Sequence, residues 1–132
     1  MATASELLHR HLALVGKAAT AEDLSIYAKD VVAEFPYAPE DHTRKLEGPA
    51  AIGQFLENMG KFAEKFKLGE PTIYETSTGC IAEYHGDSVF KSTGLSYSQD
   101  YISVITVRDG QIVGIREYYD PMRVLRALGE IE

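Results

Sequence analysis

The sequence predicts an α+β fold with a mostly antiparallel, strongly twisted sheet. Three observations predict it. Helical signals fill the first half of the 132 residues and strand signals fill the second, which favours α+β over a doubly wound parallel sheet. Four long strand-like segments follow Gly69, joined by short turns. Asp109-Gly110 is a two-residue hairpin turn, since both residue types tolerate positive φ.

The elements follow in order. Thr3-Ala4-Ser5-Glu6 reads as a capping box opening a helix, with Leu8, Leu12 and Val15 on one face and Gly16 near its end. Thr20 to Asp23 repeats the helix-start signal, and Leu24, Tyr27 and Ala28 form a short apolar stripe. Val31 to Tyr37 reads as a strand closed by Pro36 and Pro39, because proline cannot donate to a ladder. A polar loop runs from Glu40 to Gly48. Pro49 suits a first helical position, and Ile52, Phe55, Leu56, Met59, Ala63 and Phe66 recur at helical spacing. Strands are expected near 70–78, 80–91, 95–107 and 111–119. A short helix over Pro121 to Leu128 stops at Gly129.

Length predicts one domain spanning 1–132, and 45% apolar residues suffice for a core without a disulfide or metal staple. The single cysteine, Cys80, excludes an internal disulfide and points to a reduced, cytoplasmic setting. Thirteen Lys+Arg against twenty Asp+Glu give a net charge of −7, which opposes nucleic-acid binding. No apolar run approaches the roughly 20 residues of a membrane span, and Met1 to Arg10 does not read as a secretory signal. No phosphate-binding glycine loop, dinucleotide fingerprint or nucleophile elbow occurs, so no cofactor is expected. His9 and His11 lie two apart on a helix and cannot share a metal, and His42 and His85 stand alone, so no metal site is expected either.

The informative stretch is Tyr97 to Ile105. Alternation places Tyr97, Gln99, Tyr101, Ser103 and Ile105 on one face and Ser98, Asp100, Ile102 and Val104 on the other. The next strand splits into Val113, Ile115, Glu117 and Tyr119 against Ile112, Gly114, Arg116 and Tyr118. Neither face is purely polar, which predicts that helices cover one and a second subunit the other. Glu117 is either a surface carboxylate near Arg116 or Arg123, worth little, or an inward carboxyl group in an aromatic cavity. In the second case burial raises its pKa and makes it a general acid or base, with Gln99 and Tyr101 as hydrogen-bond donors to it or to a ligand carbonyl.

Tyr97-Ser98-Gln99-Asp100-Tyr101, Val107-Arg108-Asp109-Gly110-Gln111-Ile112 and Ile115-Arg116-Glu117-Tyr118-Tyr119-Asp120-Pro121 resemble the SnoaL-like polyketide cyclase family, part of the ketosteroid-isomerase-like, nuclear-transport-factor-two-like superfamily. Glu34-Phe35-Pro36-Tyr37-Ala38-Pro39 ahead of Glu47-Gly48-Pro49-Ala50-Ala51-Ile52 fits the same pattern. The resemblance implies a cone-shaped, curved sheet wrapped by N-terminal helices, a cystatin-like α+β barrel open at one end and usually dimeric. It turns Ile115, Glu117 and Tyr119 inward, with Gln99, Tyr101, Ser103 and Ile105, with Cys80, Ala82 and Tyr84, and with Phe35, Tyr37, Phe55 and Met59.

The resemblance also limits the chemistry. The ketosteroid isomerase base falls on Phe35, which cannot move a proton, the acid that helps bind its enolate falls near Ser103, which is not acidic, and its catalytic tyrosine falls near His11. The catalytic glutamate of the phenazine-biosynthesis proteins falls on Glu117, whereas their helix histidine falls on Phe55. The expectation is therefore a cofactor-free isomerase, cyclase or condensation catalyst acting on an apolar cyclic carbonyl compound. Glu117 shuttles the proton, Tyr101 and Gln99 orient, and Phe35, Tyr37, Phe55, Met59, Tyr84, Tyr97, Ser103, Ile115 and Tyr119 bind the ligand. The alternatives are a non-catalytic hydrophobic-ligand module and a structural dimer with a vestigial pocket. The expected partners are a small hydrophobic molecule and a second copy of the chain, docked through Ile81, Val89, Ile102, Val104 and Tyr118 on the outer face of the sheet. The Glu40 to Gly48 loop is a candidate lid.

Overall fold

The computed structural model describes residues 1–132. Helix α1 (Ala4–Leu12) starts where Thr3 Oγ accepts from the Glu6 amide at 3.1 Å. Helix α2 (Ala21–Leu24) carries a complete capping box between Thr20 and Asp23. Strand β1 (Tyr27–Glu34) follows, then the short β2 (Lys45–Glu47), helix α3 (Pro49–Phe62), strands β3 (Ala63–Leu68), β4 (Thr72–Thr76), β5 (Gly79–Phe90), β6 (Ser96–Arg108) and β7 (Gln111–Tyr119), and helix α4 (Pro121–Ala127). Gly129, with φ +76°, follows the last helix as its left-handed stop. No helix is long and apolar enough to cross a membrane.

The seven strands form one curved, unclosed sheet in the order β2-β1-β7-β6-β5-β3, with β4 also on β5. Every pairing is antiparallel except β1 with β7. Strand β5 is long enough to hold β4 along Gly79 to Glu83 and β3 along Gly86 to Phe90. The helices lie on the concave face, where Leu7, Leu8, Ile26, Val31, Ile52, Ile105 and Ile112 are all at most 2% exposed. This is the α+β architecture that the segregation of helical and strand signals predicts.

Three local expectations are corrected. Tyr27 and Ala28 belong to β1 and not to a helical stripe, because that segment bonds in parallel to β7, a partner far away in sequence. Ala63 and Phe66 do not continue α3. The backbone turns extended at Ala63 (φ −128°, ψ 152°) and pairs at once with Phe90, while Lys65 (φ +55°) sits in a bulge of β3. Finally, Ile112 is buried together with Ile115, although alternation puts them on opposite faces. A bulge between Thr106 and Val107 pairs Val107 with Ile112 and Ile105 with Ile115, which resets the parity along β7.

Candidate functional site

A cavity of about 540 Å³ lies between the concave sheet face and α1, α3 and α4. Its walls are mostly apolar. Phe35, Phe55 and Met59 line one side and Tyr84, Tyr97, Tyr101 and Tyr119 the other, with Ile115 and Glu117 on β7. The aromatic rings brace one another. Tyr84 stacks on Tyr101 with centroids 5.2 Å apart and planes 20° apart, and Phe35 meets Phe55 at 5.1 Å. Asp41, His42, Thr43, Lys61, Lys91 and Ser92 give the mouth a polar rim.

Glu117 points into this cavity. Register explains how it is held. Ser103 lies opposite Glu117 across β6 and β7, and opposite Ala82 across β5 and β6, so Tyr84 reaches both side chains diagonally. The Tyr84 hydroxyl donates to Glu117 Oε1 at 2.8 Å. It has one hydrogen to give, so Ser103 Oγ donates to Tyr84 at 2.7 Å, and the three groups form a single directed chain. Glu117 Oε2 has no protein partner and is open to the cavity. The residue is half-buried, with the cavity on its free side. Burial pushes its pKa up from 4.5 to about 6, against the opposing pull of the Tyr84 hydrogen bond. Burial likewise holds the Tyr84 and Tyr101 phenols well above their ordinary range, so both stay neutral donors.

The structure brings together most of the residues expected to form the site: Phe35, Phe55, Met59, Tyr84, Tyr97, Tyr101, Ile115, Glu117 and Tyr119 all line the cavity. It moves three others. Gln99 does not line it, and its amide is fully committed: Nε2 donates to the Tyr97 hydroxyl at 3.0 Å and to the Asp120 carbonyl at 2.9 Å, while Oε1 accepts from the Asp100 and Asp120 amides. It fastens β6 to the end of β7 and has no donor left for a ligand. Ser103 is fully buried behind Tyr84 and meets no ligand itself. Tyr37 is 61% exposed and packs edge-on against Tyr118, because Pro36 carries the chain away from the cavity. Cys80 is fully buried in the core, where its environment raises the thiol pKa. No group of three His, Cys, Asp or Glu side chains converges in a way that could hold a metal.

A further polar residue stands on the wall, outside the expected ligand-binding set. His11 is 7% exposed, lines the cavity, and places Nδ1 2.6 Å from the Tyr27 hydroxyl. Burial lowers its pKa to about 4, so the ring is neutral at physiological pH. Its spacing could have shown this position, since His11 falls three residues after Leu8 and four before Val15, on the apolar face of the helix.

The comparisons agree with this fold. Residues 8–115 match the model of the SnoaL-like domain. An uncharacterised Bacillus subtilis protein, YesE, is 41% identical over 79% of this chain and 72% of its own length. A PhzA/B-like protein of Pseudomonas aeruginosa is 35% identical over 98% of this chain and 92% of its own. Among solved structures, a Bacillus subtilis protein described as a candidate isomerase superposes with a TM-score of 0.84 at 35% identity, covering 97% of this chain and 94% of that one. A candidate polyketide cyclase from Xanthomonas campestris shares the fold with a TM-score of 0.76 at 23% identity, over 95% and 96% of the two chains. A family match across most of the length, relatives above 30% identity and a carboxyl-bearing cavity in a curved sheet together make this chain a member of the SnoaL-like family.

Proposed function

We propose that the protein is a cofactor-independent isomerase or cyclase that moves a proton on an apolar, cyclic carbonyl compound through Glu117. One observation carries this reading. A carboxyl group with a pKa near 6 keeps one oxygen on Tyr84 and presents the other to an oily cavity large enough for a multi-ring molecule. Glu117 Oε2 takes a proton from carbon beside the carbonyl. The C–H electron pair moves into the new C=C bond, and negative charge collects on the carbonyl oxygen. Glu117 then returns the proton to a different carbon, or the enolate carbon attacks a second carbonyl and closes a ring, and the alkoxide formed there takes the proton back from Glu117. Tyr101 and Tyr119 are the neutral phenols on the same wall, and Gln99 has no part in the step. The Bacillus subtilis protein described as a candidate isomerase, 35% identical, supports the class of chemistry.

The test is exchange of the α-hydrogens of 2-tetralone for deuterium, followed by proton NMR. The protein accelerates exchange above buffer, with an inflection near pH 6, and Glu117→Gln lowers the rate by roughly 10²-fold or more. Equal exchange by the variant removes Glu117 from the mechanism. Binding of 2-tetralone without exchange assigns the cavity to a carrier instead.

We also propose that two copies associate through the convex face of the sheet. Ile102 is 42% exposed there, and it pairs in register with Tyr118 beside the Ile81–Val104 pair.

A further inference from the structure

Ser88 is the only buried side chain in the molecule with a polar atom that has no hydrogen-bond partner. It is 5% exposed, and its Oγ is sealed from water as well as from every donor and acceptor of the protein. A buried hydroxyl that bonds to nothing carries a desolvation cost that alanine in the same place would not.

Its surroundings are those of the cavity wall. Alternation along β5 turns Ser88 to the concave face with Cys80, Ala82 and Tyr84. Across the ladder it stands opposite Tyr97. Phe90 is its next neighbour on the same face, and the Phe90 and Tyr97 rings pack with centroids 4.6 Å apart. On the other side β3 bulges. Glu64 pairs with Val89 and Lys67 with Asp87, so Lys65 and Phe66 both stand opposite the single Ser88. Lys65 takes a φ of +55°, a left-handed conformation that lysine rarely adopts. Phe66, Phe90 and Tyr97 all line the cavity. The Ser88 hydroxyl therefore lies one layer of rings behind the wall.

This part of the wall is remote from Glu117. Ser103 is opposite Glu117, and Tyr97 precedes Ser103 by six residues on β6, or roughly 20 Å of strand at about 3.3 Å per residue. The rings in front of Ser88 are not equally fixed. The Tyr97 hydroxyl is held by Gln99 at 3.0 Å, whereas Phe90 is half-buried, has no polar tether and adjoins the rim at Lys91 and Ser92.

We infer that Ser88 is a second ligand contact, uncovered when Phe90 turns aside, and that the ligand is a long apolar carbonyl compound bearing a hydroxyl group at the end remote from Glu117. This deepens the proposed function, because it rests on the cavity being a ligand site and adds a recognition point that the proton transfer does not use. The serine hydroxyl gains its hydrogen bond only in the complex, so part of the affinity is relief of a cost carried by the free protein. A ligand of the same shape without the hydroxyl gains nothing by displacing the ring.

Two measurements test this. Urea unfolding of Ser88→Ala without ligand gives a midpoint equal to or above the native one, since the variant removes a hydroxyl that bonds to nothing. A clear fall shows that Ser88 already has a partner in the free protein and overturns the inference. The second measurement compares binding of 4-acetyl-4′-hydroxybiphenyl and 4-acetylbiphenyl, which differ only in the remote hydroxyl. The native chain binds the hydroxylated probe roughly fivefold to tenfold more tightly, and Ser88→Ala abolishes the preference. Glu117→Gln keeps the preference, and Ser88→Ala leaves the exchange of 2-tetralone unchanged, so the proton-transfer reading and this one fail separately. Equal affinity of the native chain for the two probes, a preference that survives Ser88→Ala, or failure of the hydroxylated probe to bind overturns the inference.

Discussion

Glu117→Gln should make the protein more stable at pH 8 and leave it nearly unchanged at pH 4. The folded-state pKa of Glu117 is raised from 4.5 to about 6 by burial. A raised acid pKa means that the folded protein disfavours the ionised form. Wild-type stability therefore falls as pH rises from the unfolded pKa through the folded one. At about 1.36 kcal/mol per pH unit, the rise corresponds to about 2 kcal/mol of stability absent above pH 6. Glutamine has the shape of the protonated acid and escapes this cost, while its carbonyl can still accept from Tyr84. For a chain of 132 residues that difference is about 6–8 °C in Tm. Urea unfolding of both proteins at pH 4 and pH 8 measures it, and titrations common to both cancel in the comparison. A variant that loses more stability at pH 8 than at pH 4 would refute the reasoning, because it would show that hydrogen-bond donors outweigh desolvation.

Tyr84→Phe removes the one donor to Glu117 and strands Ser103, so the Glu117 midpoint, read by carboxyl-carbon NMR, should rise above the wild-type value near 6; a lower midpoint contradicts the assigned direction of that bond. Gln99→Leu leaves the Tyr97 hydroxyl and the Asp120 backbone groups unpaired and should cost about 2–4 kcal/mol in urea unfolding. A change below about 0.5 kcal/mol would mean that the amide is not the fastener described. Phe55→Ala should cost about 2–3 kcal/mol, since the ring is only partly buried, while admitting bulkier ketones in a binding series. Ile102→Lys should convert the pair to monomers in sedimentation equilibrium at micromolar concentration; a native chain that is already monomeric removes the proposed convex-face association.

The parts of the fold legible in the sequence were those set by neighbours along the chain. Caps at Thr3 and Thr20, the Asp109-Gly110 turn and the two-residue alternation of β6 all depend on local geometry. Tyr27 and Ala63 carry helical spacing yet lie in strands, because those strands are created by distant partners, Ile112 and Phe90, which no window of neighbouring residues contains. The bulge at Thr106 and Val107 defeated parity for Ile112, yet Glu117 lies beyond it, where alternation from Ile115 to Tyr119 holds. The inward turn of Glu117 came from family resemblance and not from residue type. Gln99 shared the right face of β6, but a face does not reveal that a side chain will be consumed by backbone at a strand end. The pairing of His11 with Tyr27 joins α1 to β1 and has no sequence spacing of its own.

The borders of the sheet carry a further consequence. One border is β2, three residues long, with Lys45 and Glu47 flanking its only apolar side chain. The other border is shared by β4, five residues long and carrying Glu75, and by β3, which is broken by the left-handed Lys65 and studded with Glu64 and Lys67. None of the three offers a long, uncharged ribbon onto which another chain could add a strand. Fibril-like stacking is thereby discouraged, and concentrated solutions of this protein should resist amyloid seeding even though its longest strands are rich in isoleucine, valine and tyrosine.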